Sequence, residues 1–383
     1  MQLPSLVIGE LTVPVPIIQG GMGVNISLSG LASAVANQGG VGVISAAMPG
    51  IHEQDIATNS DAANIRVLTR EIKKAQKMTS GVLGVNIMVA LTNYADMVRT
   101  AIAEGIDIIF SGAGLPLDLP GFLTPECHTK LAPIVSSARA ATIISKKWLL
   151  RFGYLPDAIV VEGPKAGGHI GFRPEQIDAP EFALERLVME VIEALKPIEA
   201  VRHKRIPVIA AGGIYTGKDI YEFIKRGASG VQMGTRFVAT HECDADDAFK
   251  QAYIDAGKED MVIIKSPVGL PGRAIRNAFI EAANQGRKAP FKCPFHCLKT
   301  CNPKKSPYCI ALALGNACKG KLKHGFAFAG QNAYRIDKIL SVEELMTLLQ
   351  AEYQSAAVSQ GLDRKESLNR FDCRTGTHGG VKG

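Results

Sequence analysis

The sequence predicts an α/β protein, a closed (β/α)₈ barrel of the TIM type with a C-terminal cysteine-rich, basic extension. Short β-branched runs alternate with amphipathic stretches up to about residue 240, which is typical of βα units and a parallel sheet. The runs are continuously apolar, as expected of strands that helices cover on both faces. Glycine-rich sequences follow several of these runs. A doubly wound open sheet is the alternative fold.

Eight segments have the length and composition of such strands. They are Val15–Gln19, Val41–Ser45, Val82–Val89, Ile106–Ser111, Ala132–Ser136, Ala158–Glu162, Pro207–Ala211 and Gly230–Met233. Apolar residues at helical spacing predict helices at Asn64–Met78, Tyr94–Glu104, Thr142–Arg151, Leu184–Leu195 and Lys218–Arg226. Thr216 and Asp219 predict a capping box at the start of the last of these helices. Two helices are predicted after the barrel, at Asp244–Ala256 and Val342–Tyr353.

The chain divides into three parts on this interpretation. Residues 1–280 form the barrel, residues 281–354 form the cysteine-rich, basic segment with the C-terminal helix, and residues 355–383 form a polar tail that we expect to be flexible. With 46% hydrophobic and 21% charged residues among 383, the chain has the composition of a globular enzyme. That composition excludes a disordered or a small disulfide-stapled protein.

The net charge of +7 is concentrated in one segment. Between Ala282 and Ile336 there are ten Lys and Arg and no Asp or Glu, so the remainder of the chain is slightly acidic. Nucleic-acid-binding proteins typically carry a basic face over their fold, and we therefore expect no nucleic-acid partner. The N-terminus lacks signal-peptide features, and no apolar run approaches the ~18–20 residues of a membrane span. This predicts a cytoplasmic protein without a membrane partner.

The loops after the seventh and eighth strands are the predicted phosphate-binding site. In a barrel of this type, phosphate commonly binds in those two loops, where glycines let backbone N–H groups approach its oxygens. The residues concerned are Gly212 and Gly213 after the seventh strand, and Gln232, Met233, Gly234 and Thr235 at the end of the eighth. The alternative is that these glycines only form tight turns.

Other strand ends complete a ring that suits a flat aromatic cofactor such as a flavin. Such a cofactor needs backbone close to one face and amide or carboxylate groups at its polar edge. The residues that provide these features are Gly21, Met22, Gly23, Asn86 and Glu162. His169 follows the sixth strand, where catalytic residues of this fold collect, and imidazole suits general acid or base catalysis. A hydrogen-bonded loop histidine is the alternative for His169.

Four segments resemble the nitronate monooxygenase (2-nitropropane dioxygenase) family, whose relatives include FMN-dependent enoyl-acyl-carrier-protein reductases. They are PIIQGGMG (16–23), VEGPKAGGHIG (161–171), AAGGIYTGKDI (210–220) and QMGTRF (232–237). The resemblance implies a barrel that binds FMN non-covalently. It implies flavin contacts for Asn86, Glu162, Gly167, Gly213 and Gln232 to Thr235, with His169 as the active-site histidine. Many relatives have Gln in place of Glu162.

A Gly-Arg stretch after the barrel also resembles the family. In the segment Gly272 to Asn277, Arg273 and Arg276 either bind an acidic group or fold the segment back onto the barrel. We expect the structural role.

The resemblance implies an FMN-dependent oxidoreductase acting on a small-molecule substrate, and we expect a nitronate monooxygenase that oxidises alkyl nitronates with O₂. The alternative enzyme is an NAD(P)H-dependent reductase of enoyl-acyl-carrier-protein or of quinones. The alternative outside enzymes is a redox-sensing interaction protein with a flavin and a metal. The sequence is compatible with a monomer and with a homo-oligomer, and it does not specify the nicotinamide preference.

Cysteines are concentrated in the basic segment. Cys293, Cys297, Cys301 and Cys309 are the candidate metal ligands, because thiolates suit an iron–sulfur cluster or zinc. Their spacing matches neither a common zinc pattern nor the ferredoxin pattern. The alternative is that they are reduced thiols that pack like small apolar residues.

Overall fold

The computed structural model describes residues 3–287 and 293–372, with side chains through residue 360. Its strands, numbered along the chain, are β1 (Leu6–Ile8), β2 (Leu11–Val13), β3 (Ile17–Gln19), β4 (Gly42–Ser45), β5 (Leu83–Met88), β6 (Ile108–Gly112), β7 (Lys130–Val135), β8 (Ile159–Glu162), β9 (Gly168–His169), β10 (Val208–Ala211), β11 (Gly230–Met233), β12 (Met261–Lys265) and β13 (Pro271–Ile275). The predicted polar tail beyond residue 372 lies outside the described residues.

The helices are numbered in the same way. They are α1 (Ser29–Asn37), α2 (Ser60–Met78), α3 (Tyr94–Ala103), α4 (Ala138–Phe152), α5 (Leu184–Arg202), α6 (Gly217–Lys225), α7 (Thr235–Val238), α8 (Asp247–Ile254), α9 (Ala278–Asn284), α10 (Ile310–Cys318) and α11 (Val342–Asp372). No helix in the described ranges has both the length and the apolar character of a membrane span.

The predicted barrel is confirmed. Eight parallel strands are hydrogen-bonded in the order β3-β11-β10-β8-β7-β6-β5-β4. A parallel bridge between Ile18 and Val41 joins the two ends of this row, with a distance of 2.9 Å from the Gln19 nitrogen to the Val41 oxygen. The ring is therefore closed, and the alternative of an open sheet is wrong.

Alternation along the strands separates two apolar cores. On β8, Val160 belongs to the cluster inside the barrel, whereas Ile159 and Val161 belong to the cluster between the strands and the helices. The hairpin β1–β2 contributes Leu6 and Val13 to the inner cluster and so closes the amino-terminal end of the barrel. The carboxyl ends of the strands remain as the open end.

Two of the βα connections differ from the regular pattern. Helix α1 was not predicted, because its residues are buried on several sides and show little helical alternation of apolar and polar types. Between β6 and β7 the described chain has only a short 3₁₀ turn, Leu119–Phe122. By contrast, the predicted cap of α6 is confirmed. The Asp219 nitrogen donates to Thr216 Oγ1 at 3.1 Å, and the Thr216 nitrogen donates to Asp219 Oδ2 at 2.8 Å.

The chain after the barrel folds back over its open end. The hairpin β12–β13 pairs antiparallel with β9, so that Gly272 lies opposite His169. Helix α11 packs against α6 and continues to Asp372 instead of ending at Tyr353 as predicted. The ring of Tyr353 contacts Tyr221 edge-on, and Gln360 Nε2 donates to Glu222 Oε1 at 2.8 Å. These contacts with α6 support the continuation of α11 beyond Tyr353, where the polar sequence alone predicts no helix.

Candidate active site

A cavity of about 830 Å³ opens at the carboxyl ends of the barrel strands. It is lined by His169 and by all twelve residues predicted to bind the cofactor: Gly21, Met22, Gly23, Asn86, Glu162, Gly167, Gly212, Gly213, Gln232, Met233, Gly234 and Thr235. The closed barrel therefore brings together in one place residues that are more than 200 positions apart in the sequence.

The strand period explains how the polar floor of this cavity forms. Side chains two residues apart on a strand point to the same side. Glu162 is two residues beyond Val160, which lies in the core inside the barrel. Asn86 follows Val85, which faces the helices, and Gln232 is opposite Ala211 in the adjacent strand. Carboxyl and amide groups therefore form the top layer of the barrel interior.

Glycines at the first strand end are required by packing within the protein. A Cβ at Gly21 would lie 2.3 Å from Asn86 Cβ, and one at Gly23 would lie 2.6 Å from Ala47 Cβ. A side chain at either position would displace the loop from the floor of the cavity. These glycines thus bring the backbone close to the polar layer.

The predicted phosphate loops have the conformation that such a site needs. Gly212 and Gly213 have φ of +97° and +84°, and a Cβ at Gly213 would lie 2.8 Å from Lys165 Cβ. The N–H groups of Gly213 and Gly234 donate no hydrogen bond to another described residue. Backbone donors without a protein partner, in a cradle that a side chain would fill, fit an anion.

The segment 328–332, which the sequence analysis missed, closes the wall above these loops. The Gly330 nitrogen donates to Thr235 Oγ1 at 2.9 Å, and Asn332 Nδ2 donates to the Gly213 oxygen at 2.6 Å. The Gln331 nitrogen donates to the Lys165 oxygen at 3.1 Å. The sequence AGQN at 329–332 contains a glycine and two amides. These three residues were the only sign of the site in this part of the sequence. They were not recognised because the segment does not follow a barrel strand.

His169 is held in place by residues from outside the barrel. Its Nε2 lies 2.7 Å from Ser266 Oγ, and its ring contacts Phe328 edge-on, with 5.1 Å between the ring centroids. Burial lowers the pKa of His169 to about 4. The imidazole is therefore neutral at neutral pH. Ser266 was also missed, because a single serine in a loop carries no sequence pattern.

Glu162 is the group in the cavity whose pKa lies near neutrality. Burial raises its pKa to about 7. Its carboxyl forms no hydrogen bond or ion pair with another described residue. It faces the cavity from the end of β8.

Arg273 has the structural role that the sequence analysis favoured. Its side chain is 2% exposed, and its Nη1 donates to the oxygens of Pro164 and Ala166 at 2.7 Å each. Arg276 pairs with Asp260, with Nη2 to Oδ1 at 3.0 Å. Both arginines therefore bind the chain after the barrel to the rest of the protein, and Arg273 holds the loop between β8 and β9, which leads to His169.

The four candidate metal-ligand cysteines are all described, and the structure gives the predicted metal site no support. Cys293, Cys297 and Cys309 pack against an apolar cluster that includes Phe295. Burial raises the pKa of Cys297 to about 12 and that of Cys309 to about 11, and the charge of the other thiolates among the four contributes to both shifts, so the four cysteines lie near one another. Within residues 3–287 and 293–372, no three His, Cys, Asp or Glu side chains are grouped so that they could hold a metal ion. Of the four, Cys297 lines the cavity, and Cys293, Cys301 and Cys309 do not.

A closed α/β barrel with this polar-floored cavity defines a class of cofactor-binding barrel enzymes. Residues 5–352 match the family model described as nitronate monooxygenase. The chain therefore belongs to the nitronate monooxygenase family, as the four sequence segments indicated, and it is an oxidoreductase.

Two curated relatives illustrate the range of this similarity. The chain is 29% identical over 274 residues to the (3aS,4S,5R,7aS)-5-hydroxy-7a-methyl-1-oxo-octahydro-1H-indene-4-carboxyl-CoA dehydrogenase of Mycobacterium tuberculosis, a match that covers 72% of this chain and 66% of that enzyme. It is 28% identical over 308 residues to a probable nitronate monooxygenase of Staphylococcus saprophyticus, a match that covers 74% of this chain and 82% of that protein.

Solved structures agree with the fold. FabK from Thermotoga maritima has a TM-score of 0.69 and 28% identity, over 90% of this chain and 94% of that one. A nitroalkane oxidase from Streptomyces ansochromogenes has a TM-score of 0.70 and 22% identity, over 91% of this chain and 98% of that one.

Proposed function

We propose that the protein is a nitronate monooxygenase that binds FMN in the barrel cavity and oxidises alkyl nitronates with O₂. One observation carries the proposal: a neutral, buried histidine lines the same cavity as an amide and carboxyl floor and two glycine loops. Family membership supports this combination of cofactor and reaction.

The residues present fit FMN. The N–H groups around Gly213 and Gly234 suit its phosphate, because they lie in a glycine cradle and have no partner within the described protein. Asn86, Glu162 and Gln232 suit the polar edge of the ring, since they supply donors and acceptors at the floor of the cavity. When bound, FMN would supply a two-electron acceptor and the site of reaction with O₂.

His169 would act as the base that accepts a proton from the substrate. In the tautomer in which Nε2 donates to Ser266, Nδ1 carries the lone pair and has no hydrogen-bond partner among the described residues. This nitrogen is then free to accept a proton from the carbon of a nitroalkane, or to orient a nitronate. A base with a pKa near 4 is unprotonated over the whole neutral range, so it is always in its active form there.

The outer part of the cavity favours one second candidate, an NAD(P)H-dependent reductase of enoyl thioesters. Leu115 and Leu270 line the cavity and are 42% and 43% exposed, so its mouth is apolar. The volume of about 830 Å³ lies near the upper end of the ~300–1,000 Å³ range of ligand pockets. Such a cavity accommodates a substrate with a large apolar body beside a flavin.

Positive charge near the mouth of the cavity also favours a reductase of enoyl thioesters. The described cations of the acid-free segment form no ion pair with a described acidic residue: Arg287, Lys299, Lys304, Lys305, Lys319, Lys321, Lys323 and Arg335. Lys299 is adjacent to Leu298 and Thr300, which line the cavity. Lys299 donates to the Val89 oxygen at 2.8 Å but has no acidic partner among the described residues, so its charge suits a substrate that carries phosphates or an acidic carrier.

Anaerobic mixing separates the two candidates. The FMN-loaded protein is mixed in separate experiments with a short alkyl nitronate, with NADH, with NADPH, and with either nicotinamide plus an enoyl thioester, while the flavin absorbance is followed. We expect rapid bleaching by the nitronate and recovery of the absorbance when O₂ is admitted. Bleaching by a nicotinamide and not by the nitronate would instead establish the reductase.

The same experiment tests the non-enzymatic alternative. A protein that keeps FMN but is bleached by none of these donors would be a flavin-binding interaction protein. A protein without affinity for FMN would contradict all three interpretations.

A further inference from the structure

Glu162 stands apart from the other acidic residues of the protein. It is the only carboxylic acid among the described residues that line the cavity. Its position at the carboxyl end of β8, two residues after the buried Val160, directs the side chain into the barrel. A carboxyl group is therefore built into the layer of the barrel that faces the cofactor site.

Two other carboxylates with little exposure, Asp244 and Glu71, have partners within the described protein. Asp244 accepts hydrogen bonds from the nitrogens of Leu28, Gly30 and Leu31 at 2.7, 3.1 and 3.2 Å. Glu71 accepts one from the Ser29 nitrogen at 3.3 Å. Glu162 accepts none from any described residue. Glu162 is half-buried and faces the cavity, so its carboxyl oxygens are available to hydrogen-bond with a ligand that occupies the cavity.

Burial is the only cause of the shift in the pKa of Glu162. On the adjacent strand, Ala211 lies opposite it. The charged and titratable groups that follow β8 in the chain are Lys165, which also lines the cavity, and His169 in β9, and Arg273 lies on β13, which pairs with β9. Lys165 is exposed, His169 is neutral at neutral pH, and Arg273 is bonded to the oxygens of Pro164 and Ala166. None of the three shifts the pKa of Glu162.

We propose that Glu162 contacts the polar edge of the bound flavin ring and takes up a proton when the flavin is reduced, so that it sets the pH dependence of the flavin's midpoint potential. The inference rests on the proposed binding of FMN. It concerns a property of this chain that a glutamine at the same position cannot have, because an amide has no ionisation in this range.

The proton and electron balance gives the expected behaviour. Two-electron reduction to the anionic reduced flavin takes up one proton on the ring. The added negative charge raises the pKa of a neighbouring carboxyl, so an ionised Glu162 takes up a second proton in the same step. Burial raises the pKa of Glu162 to about 7, so above about pH 7 wild-type protein loaded with FMN should take up two protons per two electrons until the higher pKa of the reduced state is reached.

The test is a spectroelectrochemical titration of the FMN-loaded protein between pH 5.5 and 9, with dithionite as the reductant. We expect the midpoint potential of wild type to fall more steeply from about pH 7, with a slope of two protons per two electrons. Glu162→Gln should lack this steeper region and should be easier to reduce than wild type at pH 8.5. Glu193→Gln is the matched control, since Glu193 is exposed on α5 and pairs with Lys196 at 2.6 Å. Its titration should superimpose on that of wild type.

A second measurement needs no variant. Reduction of wild type at pH 8 should produce an infrared band of a protonated carboxyl group that is absent from the oxidised protein. Parallel titrations of wild type and Glu162→Gln, or no such band, would overturn the inference. Failure of wild type to bind FMN would instead overturn the proposed function, so the two failures are distinguishable.

Discussion

The barrel and the chain that follows it contribute to one cavity by different physical means. This following part, residues 261–287 and 293–332, is called the post-barrel segment. The barrel supplies its floor through strand alternation, which places Glu162 and Gln232 on the inner side of a closed ring. The post-barrel segment supplies the wall through single hydrogen bonds, such as those from Gly330 to Thr235 and between Ser266 and His169. On the proposed function, the barrel specifies where the cofactor binds, and the later segment specifies how His169 is held.

This comparison predicts that changes that distort the backbone of the barrel loops abolish cofactor binding, whereas loss of single contacts with the post-barrel segment alters catalysis or affinity by smaller factors. The largest effect is expected for Gly213→Val. The positive φ of +84° disfavours any side chain, and the new Cβ would lie 2.8 Å from Lys165 Cβ. We expect the folded variant to purify without FMN, as measured by its visible absorbance.

Gly153→Val is the control for this variant. Gly153 also has a positive φ, +63°, but a Cβ there meets nothing within 4 Å. It should lose on the order of 1 kcal/mol of stability from backbone strain and retain FMN. Normal FMN content in Gly213→Val would show that the cradle is only a tight turn.

The second prediction concerns His169→Ala. The variant should keep FMN, because the phosphate loops and the floor are unchanged, and should lose turnover on the order of 10²-fold or more. His128→Ala, at an exposed loop position, is the control. Near-normal turnover of His169→Ala would assign His169 to packing against Phe328.

The pH profile sharpens the same point. Because burial lowers the pKa of His169 to about 4, the imidazole becomes charged only as the pH falls through about 4. In wild type, kcat/KM should therefore decrease on the acid side near pH 4. Any inflection near pH 7 should disappear in Glu162→Gln, since that ionisation belongs to Glu162.

Ser266→Ala tests whether the post-barrel segment positions His169. Loss of the 2.7 Å contact frees the imidazole to change tautomer and orientation, and we expect kcat to fall by about tenfold, which corresponds to roughly 1.4 kcal/mol. FMN affinity should not change. Ser306→Ala is the control, because Ser306 is also buried and donates to the Asn302 oxygen at 2.8 Å. Equal effects of the two variants would contradict a positioning role for Ser266.

The smallest effect is expected for Thr235→Val. It removes the acceptor for the Gly330 N–H, at 2.9 Å, and a lost hydrogen bond is worth about 1 kcal/mol. FMN affinity, measured by fluorescence quenching, should therefore weaken about fivefold. Thr100→Val, which removes a 2.7 Å hydrogen bond to Asp96 on helix α3, should leave the affinity unchanged. An unaltered affinity in Thr235→Val would mean that segment 328–332 is held without this contact.

The sequence by itself determined the barrel and the composition of its floor. Apolar runs of strand length recur eight times, and each must be buried on both faces, which favours a parallel sheet with helices around it. Once the ring closes, residues at the strand ends converge whatever their separation along the chain. Asn86, Glu162 and the two phosphate loops were predictable for this reason.

Tertiary structure alone decided how the site is finished. Gly330 and Asn332 reach the cavity because segment 328–332 crosses the loops after β10 and β11. Ser266 reaches His169 because β13 pairs with β9. The protonation states of the residues that line the cavity could not be predicted from the sequence either. Burial lowers the pKa of His169 to about 4 and raises that of Glu162 to about 7. Local sequence encodes strand period and turn residues, but desolvation and single hydrogen bonds between distant segments depend on the packing of the whole chain.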